Sequence, residues 1–225
     1  TLISVVLVIF FIKDSLHVIP SGARNPLKPS EGILHFVQND TSKNFRLFIV
    51  SNIFFTLGFF SYSFLLLYMK DQQFSLTSLP VLYLIFSLSA SIFSGVFGRV
   101  ADKYGRKSTM MIAFTLWGIV TLDFILIPHI SWLGAVVLFI LYGIHKGALK
   151  PAQSAFVAES APPEARASIL GFFKMITGLC ALPASFIAGL LWDAFGPMAP
   201  FSFALGMTVL ALSVLSMVQE PKTAK

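Results

Sequence analysis

The stretch Gly98-Arg99-Val100-Ala101-Asp102-Lys103-Tyr104-Gly105-Arg106-Lys107 concentrates charge and glycine in a chain that is otherwise mostly apolar. It lies between two apolar runs, residues 80–97 and 108–128, and each run is long enough to cross a bilayer. A segment with four cations and one anion cannot lie in lipid, so we expect an aqueous turn that joins two spanning helices. Cationic loops of this size stay on the cytoplasmic side, and this one therefore sets the orientation of the chain.

The composition indicates that lipid is the solvent around this chain. Apolar residues make up 56 % of its 225 residues and charged residues only 12 %, and the mean hydropathy is +0.82. The net charge of +6 does not indicate nucleic-acid binding, because the cations follow the loops rather than one solvated face. The single cysteine, Cys180, offers neither a disulfide nor a metal-ligand pattern, and we expect no cofactor.

Six apolar runs of spanning length predict the fold class. They cover residues 45–69, 79–97, 109–127, 132–156, 167–192 and 200–218. Only helices satisfy their backbone hydrogen bonds within one segment in lipid, so we expect an all-α integral membrane protein, with a six-transmembrane-helix domain at 45–218. Residues 1–12 are too short to span, so we interpret them as the end of a preceding transmembrane helix and the chain as a fragment. Residues 13–44 are predicted to be a cytoplasmic linker, and residues 219–225 a cytoplasmic tail.

Lysine and arginine sort to one side of these six runs. If residues 98–107 are cytoplasmic, twelve cations lie inside and only Lys70 lies outside. The twelve are Lys13, Arg24, Lys28, Lys43, Arg46, Arg99, Lys103, Arg106, Lys107, Arg166, Lys222 and Lys225. This bias predicts that both ends of the six-helix unit face the cytoplasm.

Residues 98–107 resemble the loop signature of the major facilitator superfamily, Gly-x-x-x-Asp-(Arg/Lys)-x-Gly-(Arg/Lys)-(Arg/Lys). All six specified positions are filled, by Gly98, Asp102, Lys103, Gly105, Arg106 and Lys107. An ordinary cytoplasmic loop needs only cations and does not explain the two glycines and the aspartate. In that family the signature follows the second helix of each six-helix half.

Two later segments are similar to the end of the same family. Residues 156–166 resemble the loop that enters the family's eleventh helix, and residues 191–197 resemble the exit into the twelfth. The resemblance implies that the six runs correspond to helices seven to twelve, the C-terminal half of the major facilitator fold. Ala167 departs from the pattern, because a glycine commonly follows the arginine that is Arg166 here.

The resemblance also implies a conformational gate. Its residues would be Gly98, Asp102, Lys103, Gly105, Arg106, Lys107 and Arg166. In the family the aspartate faces the N-terminus of the helix that follows the Arg166 turn, where the two halves meet. A carboxylate there gains about 0.3–1 kcal/mol from the helix dipole when exposed, and we expect Asp102 to pair with Arg106 or Arg166. The alternative is that Asp102 only caps its own loop.

The first and fourth runs line the central cavity in this family, and each carries polar residues at helical spacing. The candidates are Asn52, Thr56 and Ser63 on the first run and Lys146, Lys150 and Gln153 on the fourth. By helical rise Lys146 lies about 9 Å inside the membrane edge and Lys150 about 3 Å. Lys150 can extend its charge to the surface, whereas we expect Lys146 to face water or an anion in the cavity. Serine and threonine alone more often serve helix packing.

No enzyme motif is visible, so we expect a transporter rather than an enzyme. The leading hypothesis is a secondary active transporter of the plasma membrane that moves a small, anionic or amphiphilic solute by alternating access. Its cavity would lie between this half and a missing N-terminal half or a second copy, with lipid as the surroundings and no nucleic-acid partner. The alternative is a non-transporting orphan fragment from a disrupted gene. The start at Thr1 motivates it, as do residues 18–40, which resemble a translated dispersed bacterial repeat or are an ordinary interdomain loop.

Overall fold

The structure is a computed structural model that describes residues 41–127 and 129–220. These residues form seven α-helices and one short 3₁₀ turn, with no strand among them. The helices are α1 (Thr41–Leu57), α2 (Tyr62–Asp71), α3 (Ser78–Tyr104), α4 (Arg106–Leu126), α5 (Trp132–Ser160), α6 (Arg166–Phe195) and α7 (Met198–Met217). The 3₁₀ turn, Pro163–Ala165, precedes α6.

The predicted fold class is confirmed. Six helical stretches are long and apolar enough to cross a membrane, and α1 and α2 together make the first of them, Lys43–Asp71. The helix α1 begins four residues before the predicted start at Phe45, because neither glycine nor proline interrupts residues 41–57. The predicted helix end at 1–12 and most of the linker at 13–44 lie outside the described residues, as do residues 221–225 of the predicted tail.

The helices α4, α5, α1 and α7 supply most of the buried core. The helix α5 packs against α3 and α4, and α7 packs against α1 and α4. Large side chains fill the spaces between them, including Trp117, Tyr142 and the stacked rings of Phe55 and Phe114, whose centroids lie 3.9 Å apart. Lipid tails are as apolar as these side chains, so close packing rather than the hydrophobic effect holds such helices together.

The first span is broken between α1 and α2. A Cβ on Gly58 would lie 2.6 Å from Cβ of Met207 and 3.1 Å from the backbone oxygen of Ala204, so glycine lets this segment approach α7 closely. The helix restarts at Tyr62, where the Ser61 hydroxyl caps it by accepting a hydrogen bond from the Ser63 amide at 3.3 Å. The continuous helix that the sequence predicts over residues 45–69 is therefore two helices.

The turn between α3 and α4 is much shorter than the sequence predicts. Only Gly105 is non-helical, because α3 runs to Tyr104 and α4 begins at Arg106. Gly105 has φ +99° and ψ 153°, a backbone region that is essentially restricted to glycine. Residues 98–107, called the signature segment below, are thus two helix ends joined at one glycine.

Candidate functional site

A cavity of about 620 Å³ opens beside the break in the first span. Its volume lies within the range that small-molecule sites occupy. The walls come from the break, α3 and α5, and no carboxylate lines it among the residues that the structure describes. The lining includes Phe59, Ser61, Tyr62, Tyr83, Phe86, Ser91, Ser94, Tyr142, Lys146 and Lys150.

Two of the six predicted cavity residues, Lys146 and Lys150, line this cavity. Lys146 is half-buried, and its Nζ lies 3.8 Å from the ring centroid of Phe59. A cation over an aromatic face gains about 0.5–2 kcal/mol, depending on how far the pair is removed from water. Lys150 lies one turn further along α5 and is exposed. The cavity wall therefore carries two ammonium groups, with the inner one resting on an aromatic ring.

Asn52 and Gln153 are brought together, but they bond to each other rather than line the cavity. The Gln153 Nε2 donates to Asn52 Oδ1 at 2.6 Å, and the Asn52 Nδ2 donates to the Phe48 carbonyl at 2.7 Å. Both side chains are buried between α1 and α5. Leaving one of these amides without its partner would cost about 1–3 kcal/mol, so the bond joins the two helices.

Thr56 and Ser63 do not share a face, because the break separates them. Thr56 is half-buried near the end of α1, whereas Ser63 is exposed in the first turn of α2. The Ser63 hydroxyl accepts a hydrogen bond from Ser61 at 3.1 Å. The polar stripe that the sequence predicts along a single helix is therefore interrupted after its first two members.

His145 precedes Lys146 by one residue, about 100° around the helix, and its side chain lies inside the bundle. Its ring is fully buried among aromatic side chains, including Phe55, Phe59 and Trp117. The Nδ1 lies 2.7 Å from the Ala113 carbonyl on α4, so Nδ1 carries the proton and donates to that oxygen. His145 thereby fixes the rotation of α5 and turns Lys146 toward the cavity.

Close contact between α3 and α5 forms the floor of the cavity. A Cβ on Gly143 would lie 2.5 Å from Cβ of Ser89, and a Cβ on Gly147 would lie 2.8 Å from the Ala90 carbonyl oxygen. Such spacing of small residues lets membrane helices approach backbone to backbone. The two glycines lie on the α5 face that also carries Lys146, so this contact places α3 beside the lysine.

An ion-pair network lies at the signature segment, far along α3 and α5 from the cavity. The Arg106 guanidinium pairs with Asp102 through Nη1 and donates to Glu159 Oε1 through Nε at 3.1 Å and Nη2 at 2.8 Å. The side chain of Asp102 is 68 % exposed, whereas those of Arg106 and Glu159 are 16 % and 26 % exposed. The network therefore joins the ends of α3, α4 and α5, and the Glu159 pair is its sheltered part.

The chain beyond α7 also contacts this network. The Glu220 carboxylate accepts from the backbone amides of Arg106 and Lys107, the latter at 3.2 Å, and so caps the N-terminus of α4. Lys107 Nζ donates to the Ser216 carbonyl at 2.7 Å. Asn44 and Gln219 exchange two hydrogen bonds, of 2.7 and 2.6 Å, which join the start of α1 to the same segment.

The other predicted gate residues have different surroundings. Gly98 is helical in α3, and Lys103 is exposed with its Nζ 5.1 Å from the Tyr104 ring centroid. Arg166 begins α6 and is exposed, and no ion pair joins it to Asp102. Of the two cations expected beside Asp102, only Arg106 lies there.

Sequence reasoning did not find Glu159 or Glu220 as members of the network. Glu159 stands within the segment that resembles a family loop, and this was the available signal. Glu220 follows the last apolar run with nothing in the pattern to indicate its partner. The aromatic walls of the cavity were not found either, because a chain with 24 phenylalanines makes most helix faces aromatic.

Six helical stretches of membrane-spanning length define an integral membrane protein, and a cationic cavity lies between the break in its first span, α3 and α5. The ion-pair network at the glycine turn makes the class more specific, because Asp102 and Arg106 belong to the signature segment. The chain belongs to the Major Facilitator Superfamily, whose family model matches residues 47–225.

Several curated transporters are similar to this chain. An uncharacterized MFS-type transporter of Methanocaldococcus jannaschii is 34 % identical over 190 residues, which cover 82 % of this chain and 45 % of the relative. A multi-drug resistance efflux pump of Streptococcus pneumoniae is 36 % identical over 112 residues, covering 49 % of this chain and 27 % of the pump. A hexuronate transporter of Bacillus subtilis is 29 % identical over 129 residues, covering 56 % of this chain and 29 % of the relative. The chain spans less than half the length of these relatives.

Proposed function

We propose that this chain is the C-terminal six-helix half of a secondary active transporter that moves a small solute across the plasma membrane by alternating access. Family membership and the curated transporters support a transporter rather than an enzyme. The alignment with less than half of each relative supports a half-length unit. A missing N-terminal half, or a second copy of this chain, would complete the cavity.

The observation that carries the proposal is the cavity with Lys146 on its wall. A lysine deep in a spanning helix is costly unless it meets water, an aromatic face or an anion. Lys146 already rests on Phe59, and its charge has no carboxylate partner among the described residues. An anionic or amphiphilic solute would supply that partner at the point where the two halves enclose it.

The ion-pair network at the signature segment would act as the conformational gate. It joins three helix ends of one half through Arg106, and these ends would meet the other half on the cytoplasmic side. Contacts that form in one state and break in the other shift the balance between an outward-open and an inward-open cavity. Gly105 keeps the turn short enough for Asp102 at the end of α3 to pair with Arg106 at the start of α4.

The functions of two relatives agree with a small-molecule substrate. One is a multi-drug resistance efflux pump and another is a hexuronate transporter, so drugs and an anionic sugar acid both occur as solutes among similar proteins. The cationic cavity favours an anionic solute. Lipid would surround the outer faces of the bundle, and nucleic acid would have no role.

Uptake by the reconstituted full-length protein tests the proposal. We expect Lys146→Ala to weaken the apparent affinity for anionic solutes more than for neutral ones, because it removes the cavity's inner charge. Lys70→Ala is the matched control, since Lys70 is an exposed lysine on α2 that does not line the cavity. Equal affinity in wild type and Lys146→Ala for anionic and neutral solutes alike would remove Lys146 from the transport site.

Labelling of single cysteines tests the proposed orientation. A cysteine at Lys70 should react with an impermeant reagent added to intact cells, and one at Lys103 should react only after the cells are opened. The reverse result would show that the bundle has the opposite orientation in the membrane, and it would refute a cytoplasmic gate. Crosslinking in native membrane would show whether a second copy assembles with this chain.

A further inference from the structure

We infer that the cavity binds an aromatic carboxylate, a flat ring system with one negative charge, in preference to sugar acids and organic cations. This inference rests on the function proposed above, because it names the substrate class of the same cavity. Three features of the lining support it: a pair of lysines without carboxylate partners, a continuous series of aromatic rings, and the absence of amide and carboxylate side chains from the described lining.

The positive charge of the cavity favours a negatively charged ligand. Lys146 and Lys150 stand one helical turn apart on α5, and neither forms an ion pair within residues 41–127 and 129–220. Two ammonium groups on one wall of a cavity attract an anion and repel a cation. A carboxylate that lies between them would accept charge-assisted hydrogen bonds from both.

The aromatic side chains of the cavity favour a ligand with a flat ring. Ring centroids lie 5.2 Å apart for Tyr62 and Tyr83, 5.8 Å apart for Tyr83 and Phe86, and 4.6 Å apart for Phe86 and Tyr142. The last pair is stacked at 25°, so the series runs from the break in the first span across α3 to α5. Faces and edges at these spacings favour another flat ring that stacks in an offset manner.

The two features adjoin each other. Tyr142 precedes Lys146 by one helical turn, and both line the cavity. A ligand whose carboxylate is attached directly to its ring could therefore contact the lysines and the aromatic series together.

The described lining of the cavity has neither an amide nor a carboxylate side chain to bind a hydroxyl-rich ligand. Asn52 and Gln153, the amides predicted for this site, bond to each other outside the cavity. The uncharged polar groups that remain on the walls are six hydroxyls, three of serine and three of tyrosine. Each sugar hydroxyl that enters without a partner loses its hydrogen bonds to water, which disfavours sugar acids relative to aromatic ones.

Calorimetric titration of the 225-residue chain in lipid nanodiscs tests this inference, with empty nanodiscs as the control for partition into lipid. The probes are 2-naphthoate, 2-naphthylmethylamine, decalin-2-carboxylate and glucuronate. We expect 2-naphthoate to bind about tenfold more tightly than the amine or glucuronate. It should bind about fivefold more tightly than the saturated decalin acid, which lacks the flat face.

Matched variants measure separately what the lysine charge and the aromatic rings contribute to binding. Lys146→Met should weaken the binding of 2-naphthoate about tenfold and Lys146→Arg should restore it, whereas Lys70→Met should have no effect. Tyr83→Leu should weaken 2-naphthoate about fivefold. Tyr104→Leu is its control, because Tyr104 is exposed and does not line the cavity. Circular dichroism melting verifies that each variant is folded.

The inference is overturned if the amine or glucuronate binds as tightly as 2-naphthoate, or if the folded chain does not bind 2-naphthoate. It is also overturned if the full-length protein transports another solute without inhibition by 2-naphthoate, and the proposed function then stands. Binding of 2-naphthoate with the expected selectivity, but no uptake by the full-length protein, would refute the proposed function and leave this inference intact.

Discussion

Gly105→Ala should destabilise the signature segment through two separate effects. Alanine at φ +99° and ψ 153° lies in a region that costs roughly 1–3 kcal/mol for a residue with a Cβ. The new Cβ would also lie 2.7 Å from Glu220 Oε1, so the carboxylate would have to leave the amides of Arg106 and Lys107. A lost helix N-cap costs about 1 kcal/mol, and the expected total is about 2–4 kcal/mol.

Gly196→Ala is the control that isolates the backbone effect. Gly196 has φ 87° and ψ 178°, in the same glycine region, and no heavy atom lies within 4 Å of a Cβ built there. We expect this variant to lose only the roughly 1–3 kcal/mol of backbone strain. In a Glu220→Ala background, Gly105→Ala should then cost about as much as Gly196→Ala, because the displaced cap is already absent.

Equilibrium unfolding in mixed micelles and hydrogen exchange measure these differences. The amides of Arg106 and Lys107 should exchange about fivefold faster in Gly105→Ala, as a loss of about 1 kcal/mol implies. The same amides should be unaffected by Gly196→Ala, which lies at the end of α6. If the two alanine variants lose equal free energy and these amides exchange alike in both, Glu220 does not cap α4.

Two further predictions concern the network and the cavity floor. Glu159→Gln replaces the charged acceptor of two Arg106 nitrogens with a neutral amide oxygen and should cost about 1–2 kcal/mol of unfolding free energy. In an Arg106→Gln background that loss should disappear, and additive losses would contradict the pairing. Gly147→Ala places a Cβ 2.8 Å from the Ala90 oxygen, so α3 and α5 must separate at a cost of about 1–3 kcal/mol. Gly95→Ala meets no atom within 4 Å and should not lower the unfolding midpoint; an equal effect of both variants would refute the close-contact argument.

The six spans could be predicted because a membrane imposes a length and a polarity on every helix that crosses it. The spacing of glycine and aspartate in the signature segment indicated the family. The break at Gly58 could not be predicted, because its cause lies elsewhere in the chain, in the contact with Ala204 and Met207 on α7. An isolated glycine in an apolar run is compatible with an unbroken helix.

The candidate site was only partly predictable, for related reasons. Lys146 could be found by depth, because a charge inside a spanning helix is rare whatever it contacts. Asn52 and Gln153 were predicted on two separate helix faces, but their mutual bond depends on the rotation of α1 and α5. His145 helps to set that rotation through its hydrogen bond to the Ala113 carbonyl. No sequence pattern indicates that these two residues, on different helices, are neighbours in space.

The paired bonds of Asn44 and Gln219 bring the first and last helices of the six-span domain together at one membrane face. Domains whose termini adjoin tolerate circular permutation. A short linker from residue 220 to residue 41, with new ends opened before Trp132, would preserve every helix neighbour while moving both termini to the other face. Synthesis of such a rearranged domain would begin with α5, so the yield of folded protein would report whether insertion order or helix packing determines the architecture.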